Sequence, residues 1–130
     1  MPPDIVLSEQ LKKIPSSVRP TVKAALKTVR EAAARADEIT YRSRSPRSKS
    51  AMWKLVRYAV DGANVVGIGT FTEHSTIFFY RGRELDNSSG LLHGSGRDSR
   101  FITLSSPSDA ERPAVKRLVR QAFKIARTGS

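Results

Sequence analysis

The chain has 130 residues, 38% of them hydrophobic, with 23 Lys+Arg against 12 Asp+Glu and a net charge of +11. It has no cysteine, which excludes disulfides, thiolate metal sites and cysteine nucleophiles. The length suits one domain with one core, no apolar run approaches the roughly 20 residues of a membrane helix, and Met1 to Val6 lack the basic and apolar stretches of a signal peptide, so a cytoplasmic setting with no membrane partner is expected.

An excess of positive charge attracts polyanions such as nucleic acid, anionic lipid or acidic protein, although a basic surface also serves plain solubility. Residues 1–15 read as a proline-flanked lead-in with one weak helical stretch, Leu7 to Ile14. Ser16 or Ser17 then offers a cap for a helix running to about Ala36, with Pro20 in the first turn, where its missing N–H matters least. Val18, Val22, Ala25, Leu26, Val29, Ala32, Ala33 and Ala36 recur at helical spacing and predict its buried face. Arg19, Lys23, Lys27 and Arg30 make a basic stripe on the adjacent flank.

Residues 42–50, Arg-Ser-Arg-Ser-Pro-Arg-Ser-Lys-Ser, have no apolar side chain to offset the entropy of ordering. A mobile basic loop carrying Arg42, Arg44 and Arg47 is expected there, a solvated connector before it is an Arg/Ser recognition segment. Met52–Val60, Val65–Thr72 and Ser75–Tyr80 read as strands, joined by turns at Asp61-Gly62-Ala63-Asn64 and Glu73-His74 that are short enough for antiparallel neighbours. A polar, glycine-rich loop over 81–99 precedes a short strand, Arg100 to Leu104.

The chain closes with a second helix, where Ser108 and Glu111 match a capping box and Pro113 lies close behind. Val115, Leu118, Val119, Ala122, Phe123 and Ala126 form its apolar face; Lys116, Arg120, Lys124 and Arg127 form a second basic stripe. The order predicts an α+β fold: an antiparallel sheet of about four strands with an N-terminal and a C-terminal helix packed on one face. The domain is expected over 16–127, with a short tail at 128–130, and no internal repeat is present.

Several short patterns occur in a familiar order: Glu38 ahead of Tyr41, Trp53-Lys54-Leu55-Val56, Glu73-His74-Ser75-Thr76-Ile77-Phe78-Phe79-Tyr80, and Leu91 through Phe101. Over about residues 15 to 126 the chain resembles the YdhG-like domain family, small bacterial α+β domains mostly of unknown function. That family's pattern has a Glu, then Tyr-Gly and Pro in the first loop; Glu38 and Tyr41 match, Arg42 stands for the Gly, and Pro46 is displaced into a basic insertion. His74 matches the family's His at the turn into the third strand. Gly94, Gly96, Arg97 and Arg100 correspond to its Gly-x-Gly-Lys-x-x-Arg segment, with Arg97 for Lys. One branch is likened to frataxin-type iron chaperones, so the resemblance implies iron; nothing in the residues themselves calls for a cofactor, and the chain is poor in the clustered carboxylates a hard cation needs.

Three candidate sites follow. Glu38, Tyr41, Glu73, His74 and His93 are the residues that could take a metal or small ligand, with His74 beside Glu73 able to exchange a proton only if the turn brings them together; a solvated hairpin histidine is the plainer reading. Gly94, Ser95, Gly96, Arg97 and Arg100 could cradle an anion, although the segment matches neither the P-loop nor a dinucleotide fingerprint and also suits a flexible connector. The two helical stripes and Arg42, Arg44 and Arg47 could engage nucleic acid or another polyanion. Gly67 and Gly69 leave a bare strip on one strand face, where close packing of a helix is expected. Trp53, Tyr58, Phe71, Phe78, Phe79 and Tyr80 are expected in the core rather than stacked on bases. No triad, metalloprotease motif or paired carboxylates points to an enzyme. A non-catalytic YdhG-like binding protein for a small anion or metal is the first reading, a polyanion-binding domain the second, and a homodimer or partner-docking module built on the sheet's open face the third.

Overall fold

A computed structural model of the chain describes residues 4–33, 35–41 and 50–128. Arg42, Arg44 and Arg47, and with them nearly all of the expected basic loop, lie outside the described residues.

The sheet is organised around a tight hairpin. β2 (Trp53–Val60) and β3 (Ala63–Thr70) are joined by Asp61 and Gly62 alone. Both have positive φ, 50° and 82°, which a two-residue type I′ turn requires and Asp-Gly readily supplies. Ala63 and Asn64, expected in the turn, already belong to the strand. β4 (Ser75–Phe79) pairs antiparallel with β3, and β5 (Arg100–Leu104) with β4. A further strand, β1 (Asp37–Thr40), pairs antiparallel with the far side of β2. The order is therefore β1-β2-β3-β4-β5, an antiparallel α+β arrangement with one strand more than expected.

Register assigns the faces. Val56, Ile68, Ile77 and Ile102 are successive cross-strand partners, and Tyr58, Val66 and Phe79 form the line beside them. All seven are buried. Two bulges on the central hairpin, where Leu55 and Val65 are each left without a direct partner, place adjacent residues in the core and break the alternation of an ideal strand.

Above this face lie α2 (Arg19–Ala32) and α4 (Pro113–Thr128), which touch each other and β3. Val22, Ala25, Leu26 and Val29 from α2 meet Val115, Leu118, Val119, Ala122 and Phe123 from α4 in one core. The helix limits differ from expectation for identifiable reasons. Neither Ser16 nor Ser17 caps α2; Val18 occupies that position and is buried, and its carbonyl accepts the Val22 N–H at 3.0 Å. α2 stops at Ala32 because the Ala36 N–H turns back to the Ala33 carbonyl and leads into β1. The Ser108–Glu111 box does not open the last helix. A single turn, α3 (Pro107–Ala110), ends first, and α4 begins at Pro113, whose missing N–H is harmless at a first helical position. Asp109 instead accepts the Ser105 N–H at 2.8 Å, holding the turn to the end of β5.

The segment expected as a lead-in contributes a helix, α1 (Asp4–Lys13), that belongs to the core. Leu7 and the following Ile14 are buried, and buried Gln10 binds the Trp53 indole N–H at 3.3 Å and the Tyr41 carbonyl at 2.8 Å. The Arg19 guanidinium caps the end of α1 on the carbonyls of Leu11 (2.8 Å), Ile14 (3.1 Å) and Lys12 (3.4 Å). The 81–99 connection is also more ordered than expected: a short 3-10 turn at Gly82–Glu84 leads to buried Leu85 and Leu92, and His93 bridges to Phe101.

Gly67 and Gly69 face away from the helices. The ring of Phe78 lies across Gly67, and the Met52 thioether covers Gly69, so side chains and not a helix fill the bare strip. At Gly82 the tight neighbour is backbone: a Cβ there would stand 2.7 Å from the Arg100 nitrogen. A ring end can swing aside and a paired strand cannot. Gly82→Ala is therefore expected to cost about 3 kcal/mol and Gly67→Ala about 1 kcal/mol, read as the difference between their urea unfolding midpoints at equal slope.

Candidate functional site

Glu38, the first candidate ligand, sits on β1 opposite Tyr58, on the helix-covered side. Its carboxylate receives two N–H groups from Arg30 of α2, at 2.7 and 2.9 Å, and the Tyr58 hydroxyl at 2.6 Å. The Arg30 guanidinium and then the Tyr58 hydrogen bond hold the Glu38 carboxyl below the usual carboxylate range, against the opposing effect of its burial. Burial first, and the adjacent carboxylate second, push Tyr58 well above the ordinary tyrosine range. This cluster ties the edge strand to the helix layer, and a carboxylate so occupied is committed to structure.

Tyr41 lies beyond the end of β1. Its hydroxyl stands 3.4 Å from that of Tyr80, while the Arg57 guanidinium carbon is 5.3 Å and the Lys54 ammonium 6.0 Å from its ring centroid. Desolvation opposes ionisation of Tyr41, but the Tyr80 hydroxyl, Arg57 and Lys54 together bring it below its ordinary range. Tyr80 moves up, through burial and the hydrogen bond to Tyr41. Arg57 belongs to a cross-strand line on the side away from α2 and α4: Ile39, Arg57, Gly67, Phe78, Phe101 and, by the isolated bridge, His93. The next line holds Lys54, Gly69, Thr76 and Thr103. Phe78 and Tyr80, expected in the core, therefore stay out of it, as does half-buried Phe71 at the end of β3, whereas Phe79, Trp53 and Tyr58 join it.

His74 is half-buried in the β3–β4 turn, its ring stacked on Phe71 at 4.4 Å between centroids and its carbonyl accepting from the Phe71 N–H and the Thr70 hydroxyl. Glu73 beside it is exposed. His93 pairs with the outer side of β5, five inter-strand spacings from Glu38 on β1, a span of about 24 Å. Glu38, His74 and His93 are thus held apart by the sheet itself, and among the described residues no group of three or more His, Asp or Glu side chains could hold a metal ion.

In the glycine loop, Gly94 has φ 113°, and Gly94, Ser95, Gly96 and Arg97 are exposed. Arg100 does not reach out of the loop. Its guanidinium donates to the carbonyls of Gly96 at 2.6 Å and Ser99 at 2.7 Å, bracing the segment expected to cradle an anion.

The basic stripes divide in the same way. Arg19 caps α1, Arg30 holds Glu38, and Arg127 lies over the Phe123 ring and donates to the Ala32 carbonyl at 3.4 Å. Lys23 and Lys27 stay exposed and line a groove of about 570 Å³ between α1 and α2 with Leu7, Leu11 and Leu26. On α4, Lys116, Arg117, Arg120 and Lys124 meet no carboxylate within salt-bridge distance among the described residues. Arg117, missed in the sequence, shares a recess of about 300 Å³ with Arg120, Ser88 and Ser89. Lys54, Arg57, Phe78 and Phe101 were also missed as surface residues; the usable signal was the alternation of Phe78 and Tyr80 with Phe79.

Two outcomes check these electrostatics. Since the Glu38 pKa is depressed in the folded chain, its stabilisation is complete above the ordinary carboxylate range and is lost as pH falls through the folded value. Glu38→Gln should remove that part of the acid-side loss and destabilise the chain near neutral pH by about 1 kcal/mol, measured by thermal melts across pH. In a tyrosine titration followed by ultraviolet absorbance, Tyr41 should ionise before Tyr80, and Arg57→Ala should move the first step upward. No protein-family model matches the chain, and neither does any curated protein or solved structure.

Proposed function

We propose that this chain is a non-catalytic nucleic-acid-binding domain that holds the phosphate backbone through its helix layer. The observation that carries this reading is α4, whose sixteen residues include five cations and no carboxylate. Its exposed Arg117, Arg120 and Lys124 stand with half-buried Lys116; Lys116 and Arg120 share a recess with Thr28, Glu31 and Ala32 of α2, whose exposed Lys23 and Lys27 line the groove toward α1. Unpaired side-chain cations on a rigid helical surface are what counterion release requires, and they carry no base sequence information.

The small-ligand and iron reading drawn from the YdhG-like resemblance ranks below it. Its residues are dispersed over the sheet or engaged in Glu38–Arg30 and Arg100–carbonyl contacts. The resemblance itself we propose as one of fold.

Fluorescence anisotropy of a labelled duplex, titrated at several salt concentrations, tests the proposal. Each lost phosphate contact should reduce the log–log salt slope by about 0.9. Replacing Lys116, Arg120 and Lys124 with Gln should flatten it by about two to three and weaken binding uniformly across sequences. No binding at low salt, or an unchanged slope in that variant, would sink it.

A further inference from the structure

The side of the sheet opposite the helices has a different chemistry. No described helix packs on it, and its central line runs Arg57, Gly67, Phe78, Phe101, His93. Phe101 is 39% exposed, the one large hydrophobic residue standing so far out among the described residues. Phe78 lies flat because Gly67 opposite it has no side chain. Tyr80 meets Phe78 edge-on at 5.6 Å, and His93 meets Phe101 at 6.0 Å, so four rings share one surface. Lys54 and Arg57 flank them, and neither of the two lines contains a carboxylate.

We propose that this open face binds a single strand of nucleic acid, unpaired bases stacking on Phe101 and Phe78 and the backbone drawn to Arg57 and Lys54. Aromatic rings beside cations suit a ligand that alternates aromatic faces with negative charge, because every base has a π-face and every linkage a phosphate. A duplex has its base faces already stacked and offers this surface only its backbone. A second copy of the chain would set Arg57 of one face against the same cation of the other, and neither cross-strand line supplies a carboxylate between them. This surface is separate from α4 and lies across the sheet from it.

The test uses the full chain and three labelled probes: an oligothymidylate, an abasic strand of the same length, and a duplex. The wild type should bind the oligothymidylate roughly ten-fold more tightly than the abasic strand. Phe101→Ala should reduce the oligothymidylate affinity by at least about five-fold while leaving abasic and duplex binding unchanged, and Phe101→Trp should keep it. As Phe101 is exposed, unfolding is not the expected result of either change, and the melting temperature of each variant checks this. Equal binding of natural and abasic strands would overturn the inference even if duplex binding upheld the helix-layer reading, and so would an oligothymidylate affinity indifferent to Phe101→Ala. A concentration-dependent dimer in sedimentation, dissociated by Phe101→Ala, would overturn it in favour of self-association.

Discussion

One-sided burial governs this molecule. The Val56–Ile68–Ile77–Ile102 line can leave water only beneath an apolar cover, and the apolar stripes of α2 and α4 provide it. Once both helices lie on that side, their remaining faces must be solvated, and on α4 every charged position there is a cation. No described helix lies on the opposite side of the sheet. The basic ridge and the aromatic face are two results of the same packing decision, which is why they lie on opposite sides of a single sheet.

The helices were legible because their periodicity and their burial agree. Val22, Ala25, Leu26 and Val29, and Val115, Leu118, Val119, Ala122 and Phe123, were expected inside and are inside. β1 was not legible: Asp37-Glu38-Ile39-Thr40 is short and acidic, and it becomes a strand because β2 offers an edge and Arg30 with Tyr58 neutralises Glu38. α1 was undervalued for a related reason. Its contribution rests on Gln10, a polar residue whose buried amide reaches Trp53 and Tyr41, and hydrophobic patterning gives no weight to such a residue.

The candidate sites show what linear order cannot carry. Ile77-Phe78-Phe79-Tyr80 reads as a buried strand, yet alternation sends Phe78 and Tyr80 to one side, and only the placement of the described helices reveals that they lie on the other. Arg30 and Glu38 are eight residues apart across a helix-to-strand change, so their pairing depended on a strand not foreseen. Glycines at 94 and 96 suggested a cradle, but Arg100 satisfies the loop's own carbonyls. Chemistry at the level of residue type was visible in the sequence; which groups were already occupied was not.

The bridge between His93 and Phe101 has a consequence for behaviour at high concentration. Its two backbone hydrogen bonds, 2.8 and 2.9 Å, occupy outward-facing groups of β5 that would otherwise offer a template to another chain. At the opposite edge β1 is four residues long and begins with two acids. Each flank of the sheet thus carries an obstacle to intermolecular strand addition: on one side the Phe101 groups are already paired, and on the other only four residues are offered.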